Sequence, residues 1–334
     1  MENKSSQNIL ELLTAAHAQD IATVHQTILN HIECDQELVN HIGKYLIENG
    51  GKHLRPLFVV MCARMLGYEG NLHIMLGAAI EFIHTATLLH DDVVDESLMR
   101  RFKPSVNAVW GSKASILIGD YLFTQAFDLM TQVNVPEASK CLAEATAMLT
   151  KGEVHQLARL RDKADIDQNE YYRIIDAKTA ALFAAACRVA AILAGRDANT
   201  QEQFRQFGML FGRIFQVQDD MLDYLATSSA QLGKNIGDDF FEGKLTLPVI
   251  LLRQCGDDVI KSEIQQMFFQ KKNTEDNLYK IIKYMKQYAI QDKVMVIVHE
   301  IIQDGLRVVE SMQIAQGDKD SLSELLQYAI KRMR

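Results

Sequence analysis

The chain of 334 residues has only four prolines, well below the ordinary usage of about 5%. That scarcity excludes a linker-rich or collagen-like chain and favours long, uninterrupted helices. The five cysteines, Cys34, Cys62, Cys141, Cys187 and Cys255, are scattered, odd in number and form no C-x-x-C pair. Free thiols in a reducing compartment are expected, not a disulfide framework. Basic residues are outnumbered, 35 Lys and Arg against 43 Asp and Glu, for a formal charge of −8. Such a balance argues against nucleic acid as a main partner. The start, MENKSSQNILELL, lacks a basic segment followed by a long apolar run, so no secretory signal is read. The most membrane-like stretch, residues 179–194, is Ala-rich and interrupted by Arg188. It falls short of the roughly 20 apolar residues of a transmembrane helix and reads as a buried helix of a soluble, cytoplasmic protein.

Helical spacing of apolar residues covers 10–30, 36–48, 54–66, 71–90, 113–131, 136–158, 171–194 and 200–225, and helical segments follow to the end. Asp167 with Glu170 forms a capping pair ahead of the helix from Tyr171. Thr246 and Pro248 mark another helix start. Sustained period-two alternation is missing, so the expected fold is all-α with essentially no sheet. No composition shift divides the chain. A single domain over residues 1–334 is expected, its first few residues loose.

One pattern recurs. Asp91-Asp92-Val93-Val94-Asp95 and Asp219-Asp220-Met221-Leu222-Asp223 share the spacing D-D-x-x-D. On a helix the first and last Asp of each cluster lie on one face, where like charges destabilise by a few tenths of about 1 kcal/mol. A divalent cation would compensate. Carboxylates without His or Cys suit hard ions, Mg²⁺ first and Mn²⁺ second. A single cluster is equally well explained as a solvated acidic helix end, whereas two identical clusters after apolar helices favour metal. Thr87 and His84 precede Asp91 on its helical stripe, and Gln216 precedes Asp219. A satisfied core histidine would be the plain reading of His84 if it stood outside that stripe.

Cations complete the picture. Gly50-Gly51-Lys52-His53-Leu54-Arg55-Pro56 sets Lys52 and Arg55 where a glycine turn enters a helix, a position suited to anions. Arg100 and Arg101 follow the first cluster, Lys178 and Thr179 sit in the Ala-rich helix, and Lys234 and Lys244 flank a glycine loop. Each alone would be a solvated surface charge. Together they form the anion half of a metal–diphosphate site. The loop G-x-x-x-x-G-K-[ST] is absent, which disfavours a nucleoside triphosphatase of that type.

With these motifs in order, GGKHLRP at 50–56, FIHTATLLHDDVVD at 82–95, RR at 100–101, KT at 178–179, FQVQDDMLD at 215–223 and GKNIGDD at 233–239, the chain resembles the trans-prenyl (polyprenyl) diphosphate synthases over nearly its whole length. The resemblance implies an isoprenoid-synthase-type helical bundle around a central cavity, a homodimer, and Mg²⁺-dependent joining of isopentenyl diphosphate to an allylic prenyl diphosphate. It implies that Lys52, Arg55, His84 and Arg101 hold the isopentenyl diphosphate. Arg100, Lys178, Thr179, Gln216, Lys234 and Lys244 would surround the allylic diphosphate. Asp91, Asp95 and Asp219 would be the main metal ligands, supported by Asp92, Asp220 and Asp223. Lys178, Thr179, Gln216, Asp91 and Asp219 would carry the chemistry.

In this family the residues one turn before the first cluster guard the pocket. Ala86 and Thr87 stand there, small where short-chain members place an aromatic ring. An open tunnel and a long product are therefore expected, most like the octaprenyl-forming members that supply quinone side chains. Solanesyl, decaprenyl and geranylgeranyl synthases stay open. Such a tunnel would be on the order of 30–40 Å long, comparable with a 20-residue helix, with Phe123, Phe127, Met130 or Met148 as candidate floor. A long product makes transient membrane contact on release an expectation as well. A terpene cyclase would carry a different second metal motif, and a non-catalytic partner subunit would lose an Asp cluster; here both clusters are whole.

Overall fold

Helices with one apolar face, and two helices apolar nearly all round, set the architecture. The structure is a computed structural model and describes residues 9–48, 51, 53–100, 103–225, 237–270 and 273–332. In chain order the elements are α1 (Ile9–Ala16), α2 (Ala18–Ile32), α3 (Glu37–Glu48), α4 (Leu54–Met65), α5 (Leu72–Val94), the strands β1 (Met99–Arg100) and β2 (Lys103–Pro104), α6 (Val106–Trp110), α7 (Ser112–Val133) and α8 (Pro136–Arg161). Then come α9 (Gln168–Ile175), a π turn (Asp176–Ala180), α10 (Ala181–Leu193), α11 (Ala198–Leu225), α12 (Asp238–Glu242), α13 (Leu247–Cys255), α14 (Asp258–Phe269), α15 (Glu275–Gln287), α16 (Ile290–Ser311) and α17 (Gln316–Arg332). The all-α expectation holds. The sole strand pairing among the described residues is a short antiparallel ribbon, Met99 opposite Pro104 and Arg100 opposite Lys103, too short for a period-two pattern to reveal.

Several boundaries differ from the sequence reading. The first expected helix is split at His17 into α1 and α2. The helix expected to stop at residue 90 runs on to Val94 and so carries the first aspartate cluster. The expected 171–194 helix starts at Gln168 and widens into the π turn. Its capping pair forms as expected, with Asp167 accepting from the Glu170 backbone N–H at 2.8 Å.

At the centre lie α5 and α10. Helix α5 packs on α7, α4 and α2, and α10 packs on α11, α4 and α8. The interior is one hydrophobic cluster that runs from Ile9 to Leu326. Among the described residues the helix long and apolar enough to cross a membrane is Leu72–Val94, not the 179–194 stretch. Most of it is buried inside the bundle, as a central helix of a large core requires.

Two glycines let α10 and α11 touch closely. A Cβ on Gly208 would stand 2.4 Å from the Phe183 carbonyl oxygen, and one on Gly212 would stand 2.5 Å from Ala180 Cα. They are four residues apart, hence on one face of α11. Gly212→Val is expected to destabilise the protein by about 1–3 kcal/mol, the usual range for forced overpacking. Urea unfolding would measure it, and an unchanged midpoint would refute the close-contact account.

Candidate active site

A cavity of about 890 Å³ opens among α4, α5, α8, α9, α11 and the α12–α13 turn. Helix α5 presents Glu81, His84, Thr87, Leu88, Asp91 and Asp95 to it, spaced as one stripe of a helix. Helix α11 presents Phe215, Gln216, Asp219 and Asp220 from the other side. Both clusters therefore border one space, as do Arg55, Arg100, Lys178, Thr179 and Lys244. Lys52, Arg101 and Lys234 lie outside the described residues.

The six aspartates take different places. Asp91, Asp95, Asp219 and Asp220 border the cavity. Asp92 is buried behind it and bonds Arg100, which donates from Nη2 at 2.6 Å and from Nε at 2.8 Å. Asp223 is fully buried, does not border the cavity, and accepts from the Asp239 backbone N–H at 3.1 Å. Helical spacing alone pairs Asp223 with Asp219. The start of α12 engages Asp223 instead, because a helix leaves its first N–H groups without internal partners.

Arg100, Lys178 and Lys244 each have an acidic partner within the site. Lys244 lies 2.9 Å from Asp95 and 2.5 Å from Glu242. Lys178 lies 2.8 Å from Glu153 and donates to Gln156 Oε1 at 3.0 Å. Burial disfavours the charged form of Lys244, but Glu242, Asp95 and Asp239 around it hold its pKa above the usual lysine value. Burial also raises Asp91, with Lys178 opposing, and raises Glu153 despite Lys178. Arg55, in the first turn of α4, lays its guanidinium over the Phe183 ring, 4.5 Å from the centroid. His53, before that helix, adopts φ +43° and bonds Glu81 through Nδ1 at 2.9 Å.

Lys178 and Thr179 sit on the π turn, a feature that recurs at functional sites. Thr179 donates to Gln216 Oε1 at 2.7 Å. Gln216 Nε2 donates to Asp220 Oδ1 at 2.7 Å. Desolvation, reinforced by the nearby charge of Asp239, pushes Asp220 up to about 8. A bound divalent cation would draw it back down.

Glu153, Gln156, Tyr171, Asp239 and Glu242 border the cavity too and were not singled out from the sequence. Glu153 and Gln156 are three apart beside Gly152, a polar pair on one face that a search for partners of Lys178 would have found. Thr87 borders the cavity, whereas Ala86 is fully buried and does not. None of the four candidate floor residues borders it. Phe127 and Met148 are exposed at 48% and 40%, because they face outward from α7 and α8.

Among the described residues no three His, Cys, Asp or Glu side chains form a ready metal cage. The donors are nonetheless all oxygen, and burial, reinforced by Asp95 at Asp91 and by Asp239 at Asp220, raises both carboxyls. That fits Mg²⁺, which takes one or two carboxylates and completes its shell with water and substrate phosphate.

A helical cavity that faces paired aspartate clusters with cations defines a class, and the comparisons agree. The family model described as polyprenyl synthetase matches residues 36–285, and the chain belongs to that family. It is 46% identical over 241 residues to the octaprenyl diphosphate synthase of Escherichia coli (strain K12), covering 72% of this chain and 74% of that one. It is 42% identical to the all-trans-nonaprenyl-diphosphate synthase (geranyl-diphosphate specific) of Rhodobacter capsulatus, covering 72% and 74%. Its fold matches a polyprenyl synthase from Caulobacter crescentus CB15, crystallised with calcium and isoprenyl diphosphate, at TM-score 0.92 and 36% identity over all of both chains.

The raised Asp220 has a sign that can be tested. Its folded-state pKa of about 8 lies above the ordinary carboxyl value of about 4, so the folded protein keeps a proton that the unfolded chain has lost. Without divalent cation, that contribution is full below about pH 4 and is lost as pH rises toward 8. Asp220→Asn should flatten this decline, as read from urea unfolding at pH 5 and pH 8. An identical slope in both proteins would contradict the assignment.

Proposed function

We propose that the protein is a long-chain trans-polyprenyl diphosphate synthase that extends an allylic diphosphate, from farnesyl to octaprenyl, with isopentenyl diphosphate for quinone side chains. The observation that carries this reading is the single cavity bordered by both aspartate clusters and by Arg55, Arg100, Lys178 and Lys244. The octaprenyl product is supported by the similarity to the E. coli enzyme. A nonaprenyl product is the second reading, supported by the R. capsulatus relative.

Asp91, Asp95 and Asp219 would hold Mg²⁺, or Mn²⁺ in its place, with Asp92, Asp220 and Asp223 behind them. Bound there, the metal supplies positive charge that makes the allylic diphosphate a better leaving group. Lys178, Lys244 and Arg100 exchange their carboxylate partners for phosphate oxygens, joined by Lys234. Lys52, Arg55, His84 and Arg101 hold the isopentenyl diphosphate. As the allylic C–O bond breaks, the oxygens of Thr179 and Gln216 stabilise the cationic carbon. The apolar walls keep water from it. The isopentenyl double bond then forms the new C–C bond, and the proton released goes to the departing diphosphate.

The whole chain acts as one synthase domain in a cytoplasmic homodimer. Ile116, Leu117 and Phe127 on α7, with Met148, Val154 and Leu157 on α8, are exposed, and the apolar surface of these two helices is where a second copy would pack. Phe127→Glu is expected to shift the protein toward monomer in sedimentation; an unchanged dimer would place the interface elsewhere.

Purified protein incubated with Mg²⁺, farnesyl diphosphate and labelled isopentenyl diphosphate should yield a long prenyl diphosphate, and no product would refute the reading. In the same assay Thr87→Phe is expected to shorten the product by several units, because its ring would enter the cavity one turn, about 5.4 Å, before Asp91. Unchanged product length would move the length-setting wall to other residues.

A further inference from the structure

Tyr171 is not among the residues that the proposed chemistry uses, yet it is 2% exposed and borders the cavity. It sits in the first turn of α9, which Asp167 caps. Its hydroxyl donates to Asp220 Oδ2 at 2.6 Å, while Gln216 Nε2 donates to the other oxygen, Oδ1, at 2.7 Å. Gln216 Oε1 in turn accepts from Thr179 Oγ1 at 2.7 Å. The four groups form one chain: Asp220 meets the Tyr171 hydroxyl on one oxygen and the Gln216 NH₂ on the other, and this places the Gln216 oxygen toward Thr179.

We propose that Tyr171 is a positioning residue that fixes the orientation of the Gln216 amide through Asp220, so that the Gln216 and Thr179 oxygens face the site where positive charge develops. Preorganised dipoles stabilise a transition state because they need not reorient when charge appears. Removing the phenol oxygen leaves Asp220 Oδ2 without this donor in a buried setting. Asp220 can then rotate toward other donors, and the Gln216 amide is free to turn its NH₂ toward the cationic carbon. The cations at the diphosphates, Arg55, Arg100, Lys178 and Lys244 among the described residues, do not bond Tyr171, and Gln216 meets it only through Asp220. The loss should therefore appear in kcat and not in KM.

The proposal rests on the prenyl-transfer reading, so product formation by the wild-type protein is measured first; an inactive wild type removes that reading and not the hydrogen-bond chain. Tyr171→Phe is then combined with Gln216→Ala in a double-mutant cycle. The expected result is a drop in kcat of roughly tenfold or more, with KM for both diphosphates within about twofold. In the Gln216→Ala background the same change should have almost no further effect. Tyr171→His, which keeps a ring N–H donor, should recover part of the rate, and it carries the cycle if Tyr171→Phe fails to fold. Additive losses in the cycle, or a loss that appears mainly in KM, would overturn the proposal.

Discussion

Carboxylates facing one another across a low-dielectric cavity repel, and the cations of this site are placed against that repulsion. Two like charges about 4 Å apart interact by roughly 4 kcal/mol near a protein surface. Lys244 offsets this at Asp95, Arg100 at Asp92, and Lys178 at Glu153. The Lys244–Asp95 pair joins residues 149 apart in sequence, so it also closes the α12–α13 turn over α5. Pairs buried to this degree add little net stability over well-packed apolar groups. Their arrangement makes most sense as an exchange: cations released to phosphate oxygens, and carboxylates released to a metal. The −8 charge of the chain, which argues against nucleic acid, is thus compatible with a phosphate-bearing substrate.

Close packing puts these groups within reach of one another. Gly208 and Gly212 bring α11 against α10, and Gly152 brings α8 to the π turn, where a Cβ would stand 2.7 Å from that of Ala177. The Ala-rich face of α10 has no bulk to hold them apart. The π turn lies between these contacts. Its widened backbone carries Lys178 toward α8 and Thr179 toward α11. Small residues on three helices thereby fix two side chains that are adjacent in sequence and face different partners.

The helical architecture and the aspartate clusters could be read from the sequence because each rests on a local signal, apolar spacing in one case and D-D-x-x-D in the other. Convergence of the clusters on one cavity followed from the family resemblance. What was not legible depends on contacts between distant segments. Asp223 shares its spacing with Asp95, yet it bonds the start of α12, which nothing in residues 219–223 announces. Tyr171 looks like one more apolar position of α9 until α11 places Asp220 beside it. The split at His17 and the π turn are backbone adjustments, and residue periodicity is too coarse to register either.

Helix α5 combines two functions that are usually separable. Its cavity stripe carries His84, Thr87, Asp91 and Asp95, while Ala79, Ile80, Ile83 and Ala86 are buried in the bundle. The wall proposed to limit the product and the carboxylates proposed to hold metal are therefore one helical turn apart on a rigid element, about 5.4 Å. On that proposal a side chain at position 87 would lengthen or shorten the cavity without shifting Asp91, because α5 is held along its length by α4, α7 and α10. A change at Ala86 has no such freedom. It is fully buried and does not border the cavity, so a larger side chain there meets its packed neighbours first. If Thr87 limits the product, this separation of stripes on a single helix lets product length vary while the carboxylates stay in place.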